Sequence, residues 1–462
     1  MRQAFISLPW TSAGRGTVEQ IKKSSVFEGV TAYHWLVVLI ASGGWLFDCM
    51  DQRIFALARE PALKELLQGS EAGLAKLKSF GGLATAAMIL GWATGGIIFG
   101  VMSDKIGRVK TMMATLLVYS GFTGLSGYAH SWQEFMVYRF LVGLGVGGMF
   151  GAATTLVAES VPAGFRTLAL GSLQALSATG NIMGSLISTK IQPGAQDFLF
   201  GLSGWRILFF VGILPALLVV PIVFVLREPE PWIKAKEASR RGDVNQKPVG
   251  SLSDLFRHPR WRYHSIIGMF LGLAGMAGLW GVGFFSPELI STALKGEPQH
   301  LVDTVRGNAT ALQDCGSFFG MFTFTFFAAR WGRKPTFLVS FILSLVVTIF
   351  VFNNLNSARD AFWMLPLMGF AQLSVFAGYS IYFPELYPTR LRGTGVGFCY
   401  NTVRYLSAPF PYLMGMLADW LLLAGYENPF RLACSIVALI YVVGFIAIIF
   451  APETKGQPLP ED

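Results

Sequence analysis

The sequence predicts an all-α membrane protein of twelve transmembrane helices, arranged as two pseudo-symmetric six-helix bundles. Three observations carry this expectation. The 462 residues are 53% hydrophobic and 14% charged, with a mean hydropathy of +0.52, which leaves too little charge to coat a soluble surface of this size. Apolar stretches close to the ~20 residues that cross a bilayer core recur along the chain. Sequence features of the first half return in the second at a nearly constant spacing.

Taken in order, residues 1–33 form a polar N-terminal tail without the apolar core and small-residue cleavage site of a secretory signal, and read as cytoplasmic. Spans are expected near 35–57, 81–102, 110–129, 134–158, 167–189 and 205–226, making an N-terminal bundle of 34–226. A second set near 263–286, 307–329, 335–353, 361–383, 393–418 and 431–451 makes a C-terminal bundle of 263–451, followed by a tail of 452–462. Between the bundles, the linker 227–262 carries nine Lys or Arg. Cytoplasmic loops collect such residues, so the linker is placed inside. An even number of helices then puts both termini inside as well, in a plasma (inner) membrane. Lys105, Arg108 and Lys110, then Arg330, Arg333 and Lys334, then Arg390 and Arg392 fall in other predicted inside loops. The segment from Arg59 to Phe80, rich in helix formers and mixed in charge, reads as an outside surface helix or a mobile loop.

The net charge of +9 fits cytoplasmic loops better than nucleic-acid binding. Cys49, Cys315, Cys399 and Cys434 each lie in an apolar stretch without CxxC spacing, and the five histidines have no ligand-spaced partners. No metal and no cofactor are therefore expected. With no nucleophile constellation either, an enzyme is disfavoured. A monomer is the default expectation.

The repeat is explicit. Glu159, Pro162 and Arg166 follow the fourth span; Glu385, Pro388 and Arg392 follow the tenth, each 226 residues on. Gly107-Arg108 returns as Gly332-Arg333, 225 residues on. Such symmetry marks transporters built from two six-helix halves around a mid-membrane site.

Between spans 2 and 3 the chain reads Gly100-x-x-x-Asp104-x-x-Gly107-Arg108-x-Lys110, a tight turn with anchoring cations. Arg330-Trp-Gly332-Arg333-Lys334 looks like a degenerate second copy with Ala329 in place of the acid, so asymmetric gate contacts are expected. Span 4 reads Arg139-x-x-x-Gly143-x-Gly145-x-Gly147. Pro384-Glu385 through Gly395 follows span 10, and Pro452-Glu453-Thr454-Lys455-Gly456 follows span 12. Together these motifs resemble the major facilitator superfamily over the whole chain. The post-span-10 and post-span-12 motifs look like those shared by the sugar-porter and organic-ion branches. Asp48-Cys-Met-Asp51 resembles the paired helix-1 aspartates of aromatic-acid and related organic-acid proton symporters, with Cys49 where a small residue is usual. Leu226-Arg-Glu-Pro-Glu-Pro-Trp232 is distantly like a sugar-porter sequence.

Ionisable residues inside a membrane are costly unless paired or used. Asp48 and Asp51 share a helix face and, with Asp314, are the proton-coupling candidates. Arg139 falls at matching depth on span 4, so an aspartate–arginine pair across spans 1 and 4 is expected, for coupling or for packing, and Arg139 is also a substrate-binding candidate. Arg53, further out, reads as a snorkelling or loop-facing residue. Arg404, near mid-depth on span 11 with Asn401 one turn before it, is a candidate carboxylate ligand or a partner for Asp314. Trp280, Phe284 and Phe285 on span 7, and Tyr379 and Tyr382 on span 10, are candidates to line a cavity for an apolar ring. The resulting reading is proton-coupled symport of a small organic acid anion, aromatic or other carboxylate, by alternating access. A sugar or polyol symporter of the same fold is the alternative.

Overall fold

The computed structural model describes residues 26–68, 77–240 and 249–461. Of the predicted N-terminal tail, residues 1–25 lie outside the described residues, as do 69–76 of the predicted surface segment. Among the described residues, twelve long helical segments follow one another, some of them interrupted. The first half holds α1 (Ala32–Leu66), α2 (Leu77–Ile106), α3 (Arg108–Gly127), α4 (Trp132–Ser160), α5 (Ala163–Lys190) and α6 (Gly204–Val225). The second holds α7 (Pro259–Ala293), α8 (Gln299–Arg330), α9 (Arg333–Asn354), α10 (Ala358–Glu385), α11 (Arg392–Ser407 and Phe410–Leu423) and α12 (Pro429–Phe450). Among the described residues, eight of these are long and apolar enough to span on composition alone. The other four are α3, α5, α8 and α11. Three of them carry polar groups to the centre: Gln174 and Asn181 on α5, Asp314 on α8, and Asn401 and Arg404 on α11.

The elements differ from the sequence expectation at their ends. α1 continues beyond residue 57 to Leu66, so the start of the expected surface segment is an extension of a membrane helix. The linker contains two short helices, Glu230–Arg240 and Leu252–Arg257, and α7 begins at Pro259, which takes Arg260 and Arg262 into its first turn. α11 is interrupted after Ser407, where Pro409 has no N–H to continue the ladder. α6 tightens to a 3-10 turn at Leu214–Leu218, around Pro215.

Helix ends repeat between the halves. Ser131 Oγ accepts from the Glu134 N–H at 3.2 Å, while Glu134 accepts from the His130 N–H at 3.0 Å, closing the start of α4. Ser357 and Asp360 do the same for α10, at 3.2 Å each. Gly107 and Gly332 precede α3 and α9 with φ of 127° and 113°, backbone that only glycine adopts freely. The carboxylate of Glu228 then caps α3 by accepting from the N–H groups of Arg108, Val109 and Lys110. Glu453 caps α9 through Arg333 and Lys334. Each acid satisfies donors a helix start would otherwise leave open, at the positive end of its dipole.

Within halves, α2 packs on α4, α1 on α5 and α8 on α10; across halves, α2 meets α11 and α5 meets α8. Glycines set the spacing. A Cβ at Gly143 or Gly147 would run into the α2 carbonyls of Met88 and Trp92. Gly100 lies against Gly393 and Gly397 of α11, so the halves approach backbone to backbone there.

Candidate functional site

At the end of the molecule bearing the 104–108 turn, the two halves are joined by a buried polar network. Arg108 donates to both oxygens of Glu159 at 3.0 and 3.1 Å, to Ser103 O at 2.9 Å and to Thr389 O of the other half at 2.7 Å. Glu159 also accepts from Arg392, whose Nε donates to Pro384 O at 2.9 Å. Asp104 pairs with Arg108 at 3.1 Å and accepts from the N–H groups of Gly393 and Thr394 at 3.0 and 2.7 Å, and from the Thr394 hydroxyl at 2.6 Å. The second copy is built differently. Arg333 binds Glu385 at 2.7 Å, but with Ala329 supplying no carboxylate it reaches across to Thr167 Oγ1 at 2.6 Å. Arg330 is exposed, and its carbonyl accepts from Lys455 at 2.6 Å.

Midway along the bundle lies a cavity of about 120 Å³. Trp45, Cys49 and Gln52 of α1 line it at i, i+4 and i+7, one helix face. Trp92, Gln174, Asn181, Trp280, Asp314, Phe376, Tyr400 and Arg404 contribute from other helices. Arg404 is buried. Its Nη1 donates to Tyr400 O at 2.8 Å and to Asn401 Oδ1 at 2.7 Å, while its Nε has no hydrogen-bond partner among the described residues. Its guanidinium lies 3.8 Å from the Trp92 ring centre and 4.7 Å from that of Tyr400. Tyr400 in turn stacks on Phe150 at 3.7 Å. Among the described residues no carboxylate lies within ion-pair distance of Arg404. Asn401 Nδ2 donates to Gly397 O at 3.0 Å, so this side chain positions the arginine rather than facing the cavity.

Asp48 and Asp51 lie off that face of α1, turned into the N-terminal half. Arg139 Nη1 approaches Asp51 at 3.8 Å, with both side chains fully buried. That distance is an ion pair without a hydrogen bond. Arg139 bonds instead to Ser126 Oγ at 2.6 Å and stands over the rings of Phe55, Phe135 and Phe209. Among the described residues the oxygens of both aspartates make no hydrogen bond of normal geometry, and the hydroxyls of Tyr119 and Thr123 are the polar groups that face Asp48 and Asp51. None of these three residues reaches the central cavity.

Arg53 and Asp314 correct the sequence reading. Arg53 is neither snorkelling nor loop-facing: its Nη2 donates to Asp314 Oδ2 at 2.6 Å, joining α1 to α8 across the halves. Asp314 is therefore the partner of Arg53 and not of Arg404. Beyond this pair, toward the end opposite the 104–108 turn, a vestibule of about 690 Å³ is lined by both residues. The tyrosines are placed away from the cavity. Tyr379 donates to Leu271 O at 2.7 Å and Tyr382 to Pro452 O at 2.7 Å, both in the packed interior of the second half. Trp280 does line the cavity, Phe285 packs on Phe430, and the Phe284 side chain lies outside the described residues. The aromatic surround of Arg404 escaped sequence reasoning. The i, i+4, i+7 face of α1 was a usable signal for Trp45 and Gln52; Trp92 had none, being one apolar residue in an apolar span.

Comparison with known proteins places this arrangement. The sequence profile of the Major Facilitator Superfamily matches residues 42–298, and that of "Sugar (and other) transporter" matches 233–461. A putative metabolite transport protein of Haemophilus influenzae is 29% identical over 431 residues, 93% of this chain and 99% of that protein. The cis,cis-muconate transport protein of Acinetobacter baylyi is 29% identical over 379 residues, 82% of this chain and 86% of its own. Among solved structures, the proton:xylose symporter of E. coli bound to 6-bromo-6-deoxy-D-glucose superposes with a TM-score of 0.74 at 18% identity, covering 92% of this chain and 98% of that one.

Proposed function

Because this chain belongs to the major facilitator superfamily and is a membrane transporter, we propose that it is a proton-coupled symporter of a small organic acid anion. The observation that carries this reading is Arg404: a buried guanidinium on the wall of the central cavity, with an open Nε and no carboxylate beside it. A buried cation without an anion is costly. A substrate carboxylate would supply the missing partner through charge-assisted hydrogen bonds. Trp45, Trp92, Phe376 and Tyr400 would hold the apolar body of the acid. The named substrate of the Acinetobacter relative, a dicarboxylate, is of this chemical class.

In this reading Asp48, Asp51 and Asp314 are the groups that carry protons, and substrate and proton each change the other's affinity. The Asp104–Arg108–Glu159–Arg392 network holds the cytoplasmic side closed while the vestibule opens outward, one phase of alternating access. The protein then sits in the plasma (inner) membrane as a monomer with both termini cytoplasmic. One observation favours a sugar or polyol instead: Gln52, Gln174 and Asn181 also line the cavity, and Gln52 Nε2 and Gln174 Oε1 lack partners. The deciding experiment is binding of carboxylic acids, their neutral amides and pentoses to the purified protein. Preference for acid over amide supports the anion reading, and saturable sugar binding with no acid preference replaces it.

A further inference from the structure

The vestibule is larger than the central cavity and holds a cation of its own. Arg53 and Asp314 stand at its floor with side chains 29% and 17% exposed, whereas Arg139 is sealed within the first half. A guanidinium has five N–H donors; among the described residues that of Arg53 makes one hydrogen bond, to Asp314. Asp314 borders both chambers, so the pair forms the partition between them. The remaining walls carry Leu57, Ile182 and Leu186 together with Ser185, Ser188, Asn308 and Thr310, a largely apolar chamber in which Arg53 is the one cation among the described lining residues, of a size that takes small organic ligands.

Resting on the carboxylate reading above, we infer that the vestibule floor is a second anion-binding site, at which Arg53 takes the substrate carboxylate before it passes to Arg404. The incoming carboxylate replaces that of Asp314 on the guanidinium, which keeps an acceptor throughout. The displaced Asp314 side chain is also the partition, so occupation of the outer site opens the path to the inner one. Arg53 thereby selects for a carboxylate before the aromatic cavity is reached, and an uncharged analogue gains nothing from it.

The test uses the purified full chain, with benzoate and nicotinate as probes and benzamide and nicotinamide as controls. Stopped-flow tryptophan fluorescence gives association rates, and equilibrium dialysis gives affinity. Arg53→Gln should slow acid association on the order of tenfold and leave amide association unchanged. Arg404→Gln should retain a weaker acid site that disappears in the Arg53→Gln/Arg404→Gln double variant. Asp314→Asn removes the competitor without removing Arg53, so acid association should quicken; this variant decides the matter if Arg53→Gln does not fold. Wild-type association rates in Arg53→Gln, unchanged rates in Asp314→Asn, or complete loss of acid binding in Arg404→Gln alone would overturn the outer site while leaving the anion reading intact. A wild type that binds no acid better than its amide overturns both.

Discussion

The guanidinium of Arg404, from the second half, lies 3.8 Å from the ring centre of Trp92, from the first. Stacking on an indole stabilises a cation without satisfying its hydrogen bonds. The charge is therefore held in place across the interface of the two halves while its Nε stays available. This separates Arg404 from Arg139, whose nearest carboxylate is Asp51 at 3.8 Å and whose donors turn to Ser126.

Replacing Arg404 with lysine keeps the charge and loses the planar fork. Acid affinity should fall by about 1.5–3 kcal/mol, roughly ten- to a hundredfold. Arg404→Gln should fall further and keep only the weaker preference for acid over amide that Arg53 confers at the outer site. Equilibrium binding of both ligands to the wild type and the two variants checks this; full discrimination in Arg404→Gln would make the arginine structural.

Asp48→Asn and Asp51→Asn keep the side-chain shape and remove the exchangeable proton. Each should abolish accumulation driven by a proton gradient in proteoliposomes while counterflow exchange partly survives. Undiminished gradient-driven uptake in both single variants would exclude α1 from the coupling machinery.

The Lys/Arg distribution predicts that the linker faces the cytoplasm. In a cysteine-free background, Glu237→Cys in the linker should resist a membrane-impermeant thiol reagent on intact cells, and Gly194→Cys between α5 and α6 should react. Labelling of position 237 from outside would invert the map.

Glu453 lies beyond the last membrane helix. Burial pushes its carboxyl upward, but N–H groups of Arg333, Lys455, Lys334 and Thr454 more than offset this and hold it below the usual carboxylate range. A depressed folded-state value means the cap contributes fully above the unfolded pKa, about 4.3, and fades as pH falls through the folded value. Glu453→Gln should lower the melting temperature more at pH 7 than at pH 3.5. An equal loss at both values would show that the charge does not hold α9.

The fold was legible because membrane spans announce themselves by length and hydropathy, and because Gly107 and Gly332 mark helix starts with a conformation other residues avoid. The depth of Asp51 and Arg139 could likewise be counted along their helices, and they do lie together. Azimuth was harder. Tyr379 and Tyr382 stand on a helix that is apolar all round, with no stripe to say which side meets a cavity. The Arg53–Asp314 pair spans 261 residues, and its two members gave no local hint of each other. In the sequence Glu228 and Glu453 stand only as parts of motifs; their common role as helix caps appears once the chain has folded back.

Those caps also impose an order on synthesis. Glu228 is 120 residues downstream of the Arg108 N–H it binds, and Glu453 is 120 residues downstream of Arg333. Each half therefore makes its third helix early and receives the acid that closes that helix only after its sixth has been made. At about 5–20 residues per second, the gap is roughly 6–24 s. Throughout it, the nascent helix start is open to water, lipid headgroups and chaperones. The first half can be closed before the second has been translated, so the ribosome delivers the two halves as successive folding units.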